Sequence, residues 1–171
     1  WIIDYNRQSL DGMVNEDLFR TIGRFFRAVG WNVITLKYGK LQRAAFAKPG
    51  GVALRRWINS CPNDIYSALT FQGPAAWRKK IKEDKPLDNA LHQLIDSYGD
   101  DELQKLMTNL GGHCMDTILE AFKSVPNDKP TTFVCYTVKG YGLPLQGHKD
   151  NHAGLMNPQQ FAEFQKSCCV P

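Results

Sequence analysis

The chain has 171 residues, 43% hydrophobic and 22% charged, which is the size and composition of one ordinary folded domain and excludes general disorder. Its net charge of +4 comes from basic residues scattered along the chain, bunched only at Arg55-Arg56 and Arg78-Lys79-Lys80, which excludes the basic stripe of a nucleic-acid binder. No run of about 18 apolar residues occurs and no basic-then-apolar leader opens the chain, so the expectation is a cytoplasmic protein with no membrane partner.

Five cysteines, Cys61, Cys114, Cys135, Cys168 and Cys169, show no CxxC spacing. They read as reduced thiols rather than as a disulfide framework or a zinc site.

In chain order, Trp1-Ile2-Ile3-Asp4-Tyr5 reads as a buried strand. A chain that opens inside such a strand is expected to be a piece of a longer polypeptide. Polar residues cluster at the strand's carboxyl end, Asn6-Arg7-Gln8, before a turn at Asp11-Gly12. A helix follows, with Asn15 as N-cap, Glu16 and Asp17 in its first turn, and Leu18, Ile22, Phe25, Phe26 and Val29 on one face. Gly30 ends it. Trp31-Asn32-Val33-Ile34-Thr35-Leu36 is a second strand, and strand, helix, strand in this order implies two parallel strands joined by a right-handed crossover.

Residues 39–125 are mostly helical, punctuated at Pro49-Gly50-Gly51, Cys61-Pro62, Gly73-Pro74 and Pro86. Helices are expected at 41–47, 52–59, 65–69, 75–83, 87–98, 101–108 and 115–124. An excursion of this length between strands is an insertion, and its apolar residues serve packing. His92 reads as structural or surface. Gly111-Gly112-His113 reads as a loop before a helix, whose amides are one candidate for holding an anion.

After the loop Pro126-Asn127-Asp128-Lys129-Pro130, the run Thr132-Phe133-Val134-Cys135-Tyr136-Thr137-Val138 is a buried strand ending abruptly at Lys139-Gly140-Tyr141-Gly142. Ligands of parallel α/β sheets bind at carboxyl ends of strands. The loop beyond carries His148 and His152, and a loop with histidines can shuttle protons. It is rich in glycine and polar groups, so a mobile loop is expected there. A short helix at 159–166 presents Phe161 and Phe164. The fold class expected is α/β, with a mainly parallel sheet, flanking helices and a long helical insertion.

The order of four motifs adds a resemblance. Asp4-Tyr5-Asn6-Arg7-Gln8-Ser9-Leu10-Asp11-Gly12, Gly30-Trp31-Asn32-Val33-Ile34, Gly111-Gly112-His113 and Thr137-Val138-Lys139-Gly140-Tyr141-Gly142 with the two-histidine loop resemble, in this order, segments of the transketolase-like thiamine diphosphate enzymes. The homodimeric pyruvate dehydrogenase type is nearest, with transketolase next. Two departures stand out. No Gly-Asp-Gly turn precedes Asn6, and the pyrimidine-binding domain is absent from this polypeptide. The loop Gln146-Gly147-His148-Lys149-Asp150-Asn151-His152 lies nearer transketolase in its two histidines.

The resemblance implies a partial thiamine diphosphate-binding fold, with residues 1–171 as the C-terminal part of the diphosphate-binding domain and the insertion at about 39–125. It implies a parent enzyme that decarboxylates a 2-oxo acid, pyruvate first, with this piece inactive alone. Asn6, by its side-chain oxygen, and Gln8, by its main-chain oxygen, would ligate magnesium. Lys139 and His148 would join them in binding thiamine diphosphate. His152, then His148 and Lys139, would serve catalysis, His152 meeting the substrate carboxylate or exchanging its proton. The implied partners are the rest of the parent, a second copy in a homodimer, and a lipoyl acyltransferase. Two alternatives stay open: a sugar transketolase acting on sugar phosphates, and a noncatalytic structural or partner-binding domain.

Overall fold

The computed structural model describes residues 1–9, 12–13, 18–126 and 128–169. The expected turn at Asp11, the N-cap Asn15 with Glu16 and Asp17, Asn127 and the terminal Val170-Pro171 lie outside the described residues. The fold is α/β. Three parallel strands, β1 (Ile2–Tyr5), β4 (Asn32–Leu36) and β5 (Thr131–Tyr136), form one sheet in the order β1-β5-β4. β2 (Gln8–Ser9) and β3 (Gly12–Met13) make a small antiparallel pair beyond β1.

The strand–helix–strand unit is present as expected, but its two strands do not touch. β5 enters between them, with Ile3 opposite Val134 on one side and Thr35 opposite Val134 on the other. The last strand in sequence is therefore the central one. All six of its residues are buried, because both neighbours and both faces are covered.

Period-two alternation divides β5 between two cores. Val134 and Tyr136 face a core shared with Tyr5, Phe19 and the helices between β4 and β5, while Phe133 and Cys135 face Leu36, Ile118 and Ala121. Helix α8 (Met115–Lys123) closes that second face. α1 (Leu18–Ala28) packs against β4 and β5.

Two expectations are corrected. β1 is buried only toward its carboxyl end: Tyr5 is in the core, whereas Trp1 and Ile2 are 71% and 62% exposed, since β1 has β5 as its only strand neighbour among the described residues. The packed face of α1 is also rotated. Phe19, Ile22 and Gly23 turn inward, and Leu18, Phe25 and Val29 are exposed. Helical spacing admits both stripes, and Phe19 is the ring that packs against Tyr5 and Tyr136 of the sheet.

The insertion comprises α2 (Lys40–Phe46), α3 (Gly51–Ser60), α4 (Asn63–Gln72), α5 (Pro74–Asp84), α6 (Asn89–Asp96), α7 (Asp100–Thr108) and α8, within a few residues of expectation. Its centre is aromatic. Trp77 is fully buried, edge-on to Tyr66 at 4.8 Å and to Trp57 at 6.0 Å. His92 Nε2–H donates to the Lys85 carbonyl at 2.8 Å across its helix end, a local structural role as expected. α9 (Pro158–Ser167) starts on a reciprocal cap between Asn157 and Gln160. The five cysteines are free thiols.

Candidate functional site

Because the three strands are parallel, their carboxyl ends lie along one edge of the sheet. Tyr5 opens there into Asn6-Arg7-Gln8, Leu36 into Lys37-Tyr38, and Tyr136 into Thr137-Val138-Lys139. The Gly111-Gly112-His113 turn ties two of these ends together. Gly111 N–H donates to the Lys37 carbonyl at 3.0 Å and Gly112 N–H to the Tyr136 carbonyl at 2.9 Å. Any side chain at position 112 would meet the Tyr136 oxygen at 2.7 Å and Thr137 Cγ2 at 2.6 Å, so the close approach requires glycine.

His113 completes this turn. Its Nε2 accepts a hydrogen bond from Val138 N–H, and its ring stacks on Tyr141. An accepting Nε2 demands the neutral ring with the proton on Nδ1. Burial lowers its pKa, in the same direction, while the nearby Asp4 opposes the shift.

Asp4 accepts from the Thr137 hydroxyl and, at 3.3 Å, from Asn6 Nδ2. Asn6 Oδ1 accepts from Gln8 N–H at 2.9 Å, a short loop held by a side chain. Between them Arg7 sits at φ 68°, the left-handed region that a long side chain rarely adopts. Gln8 Nε2 donates to the Gly147 carbonyl at 3.3 Å, bringing the first polar turn against the histidine loop; its Oε1 is buried without a hydrogen-bond partner.

The loop expected to be mobile has a defined course. Gly147 N–H donates to the Lys139 carbonyl at 3.0 Å, and Asn151 Nδ2 donates to the carbonyls of Lys139 at 3.2 Å and Leu145 at 2.5 Å. The loop is thus tied to its own base by hydrogen bonds to backbone carbonyls. Gly140, at φ 68°, makes room for this anchor, since a Cβ there would fall 2.1 Å from Asn151 Nδ2.

A short 3-10 turn, Lys149–His152, carries the second histidine. His148 packs its ring on Phe71 at 4.5 Å and borders a groove of about 320 Å³ shared with Gln8, Ser67 and Gly147. Its Nδ1 accepts from Asp150 N–H at 3.1 Å, which leaves Nε2 to carry the proton of the neutral ring. His152 is exposed on the outer side of the turn.

Of the residues the sequence singled out, Asn6, Gln8, Lys139 and His148 come together at this edge, and His152 stands at its rim. Arg7, His113 and Asn151 were missed as contributors. The Gly-Gly-His turn was the available signal for His113; nothing in spacing marks a buried Arg7 or an anchoring Asn151.

Among the described residues no group of three His, Cys, Asp or Glu side chains stands close enough to hold a metal. The oxygen donors at the edge are the Asn6 carboxamide, with one lone pair already used by Gln8 N–H, and main-chain carbonyls. This set fits a hard cation as a partial shell. Magnesium commonly takes one or two protein oxygens and fills its octahedron with phosphate and water.

No family model matches the chain. Among curated proteins it is similar to the pyruvate dehydrogenase E1 components of Corynebacterium glutamicum, 29% identical over 84% of this chain, and Cupriavidus necator, 28% identical over 90%. That of Buchnera aphidicola is 30% identical over 90% of this chain. The chain spans only 15–17% of the length of these relatives.

Proposed function

We propose that the chain is the C-terminal part of the diphosphate-binding domain of a thiamine diphosphate- and magnesium-dependent enzyme that decarboxylates a 2-oxo acid, with pyruvate the first candidate. The observation that carries this reading is the bond from Gln8 Nε2 to the Gly147 carbonyl, which joins the Asn6-Arg7-Gln8 turn to the loop bearing His148. The similarity to E1 components over most of the chain supports it. In this reading Asn6, by its side-chain oxygen, and Gln8, by its main-chain oxygen, hold magnesium, and Lys139 and His148 line the diphosphate.

When bound, thiamine diphosphate supplies the electron sink that lets carbon dioxide leave. The chain's own residues orient and protonate. His148 moves its proton at Nε2, since Asp150 N–H occupies Nδ1. His152, on the exposed side of the turn, is placed to meet the carboxylate of a substrate held by the remainder of the parent. In this reading the chain works with the rest of its parent and a second copy in a homodimer, with a lipoyl acyltransferase as the carrier that takes up the acyl group, and the cytoplasm is its setting.

The test is an assay of the complete polypeptide, with thiamine diphosphate and magnesium, for carbon dioxide release from pyruvate and other 2-oxo acids. Release with thiamine dependence supports the reading. Two-carbon transfer between sugar phosphates without decarboxylation would replace it with a transketolase. The absence of both activities would leave a noncatalytic domain.

A further inference from the structure

Arg7 is a buried cation without a counter-charge. Its side chain is 6% exposed, its guanidinium lies 4.5 Å from the centre of the Tyr66 ring, and its Nε has no hydrogen-bond partner. No carboxylate among the described residues pairs with it. The contact with the ring face offsets only part of the cost of desolvating a guanidinium. The groups nearest its charge are Tyr66, Tyr136, Tyr5 and Cys61. Burial pushes the Tyr66 hydroxyl and the Cys61 thiol each up to about 12, so neither supplies a negative charge at neutral pH.

Beside the guanidinium is a cavity between the strand ends and the α3–α4 corner, where a water centre can move through about 60 Å³, the space of roughly four to six waters. Its lining includes Lys37, Asn59 and Tyr136 and, among the described residues, no Asp or Glu. Lys37 Nζ already donates to Asn59 Oδ1 at 2.6 Å, and the Tyr66 hydroxyl donates to the Met107 carbonyl. The buried Arg7 guanidinium therefore faces the rings of Tyr5 and Tyr136 across the cavity, with the half-buried Lys37 as a second cation in its lining.

We infer that this cavity binds a small monocarboxylate, its oxygens on the Arg7 guanidinium and its short carbon chain against the rings of Tyr5 and Tyr136. A guanidinium fork matches a carboxylate in shape and charge, and the Tyr5 and Tyr136 rings offer the short carbon chain an apolar face. The cavity adjoins the proposed magnesium edge, Arg7 standing between Asn6 and Gln8, but the Arg7 guanidinium turns to Tyr66 while the Asn6 carboxamide bonds to Asp4. The inference does not depend on the proposed reaction.

The experiment uses the complete polypeptide without thiamine diphosphate, and propionate as probe. Thermal unfolding is followed against propionate, chloride and phosphate at equal ionic strength, for wild type and Arg7→Met. Propionate should raise the midpoint by at least ~3 °C with half-saturation on the order of 1 mM, and Arg7→Met should abolish the rise. An equal rise with chloride, tighter binding of phosphate, or an unchanged response in Arg7→Met would overturn the inference. Should Arg7→Met not fold, magnetisation transfer from the propionate methyl to tyrosine ring protons in the wild type decides: its presence supports the site and its absence overturns it.

Discussion

His113 Nε2 lies 2.7 Å from the backbone nitrogen of Val138 and accepts its hydrogen, while the imidazole lies nearly parallel to the Tyr141 ring with centroids 3.8 Å apart. One side chain from the turn before α8 thereby sets the path of the chain as it leaves β5 for the histidine loop. The bond exists only while Nε2 is unprotonated, so the strand end carries a pH dependence.

The sign follows from burial, which lowers the folded-state pKa of His113 below its ordinary value of 6.5. Between the folded and unfolded values the unfolded chain binds more protons, so this residue's contribution to stability is full above about 6.5 and declines as pH falls toward the folded value. His113→Phe keeps a ring on Tyr141 but leaves Val138 N–H unpaired. Urea unfolding should show a loss of about 1–3 kcal/mol at neutral pH and a shallower decline in acid. Wild-type and variant curves that stay parallel from pH 7 to 5 would contradict this.

Gly140→Ala should loosen the histidine loop rather than the sheet. A Cβ at φ 68° costs about 1–2 kcal/mol by itself and displaces the Asn151 side chain that anchors the loop. Hydrogen exchange should accelerate at Gly147 and Asn151, with β5 amides unaffected. Asn151→Ala should reproduce the pattern without a backbone cause.

Asn6→Ala tests the proposed metal edge. Among the described residues the half-buried side chain bonds to Asp4 and to Gln8 N–H alone, so the melting temperature should change little. In the complete polypeptide, magnesium-dependent binding of thiamine diphosphate, followed by calorimetry, should weaken about tenfold or more, the ~1.4 kcal/mol of one ordinary ligand contact. Retained affinity with a lowered melting point would make Asn6 a turn residue alone.

His152→Ala in the complete enzyme should lower the catalytic rate roughly 100-fold or more, the range for a lost proton-transfer group, with cofactor affinity nearly unchanged. His148→Ala is the comparison. It also removes the Phe71 contact and the acceptor for Asp150 N–H, so it should lose loop order as well as rate. Near-normal turnover in both variants would make the loop a passive cover.

Trp77→Ala should destabilise by about 3–5 kcal/mol, as judged by urea unfolding. The indole is fully buried between Trp57 and Tyr66 at the centre of the helical region. A loss below ~1 kcal/mol would mean that the helices collapse around the gap.

By itself the sequence determined the local elements of this protein: a helix ending before Gly30, the seven helices between β4 and β5, and a last strand that stops within a few residues of Lys139-Gly140. These follow from periodicity, caps and glycine, all of which act over a few residues. Tertiary structure decided what periodicity leaves degenerate. The stripe containing Phe19 and Ile22, rather than Leu18 and Phe25, meets the sheet, where Phe19 packs against the rings of Tyr5 and Tyr136. The Trp1–Tyr5 run is apolar yet lies at an edge, because β5, more than a hundred residues later, takes the central place. The polar residues at the strand ends acquire their roles in the same way: Gln8 finds Gly147, His113 finds Val138, and Arg7 is enclosed among tyrosines, each through a contact that closes only when the parallel sheet has brought its carboxyl ends to one edge.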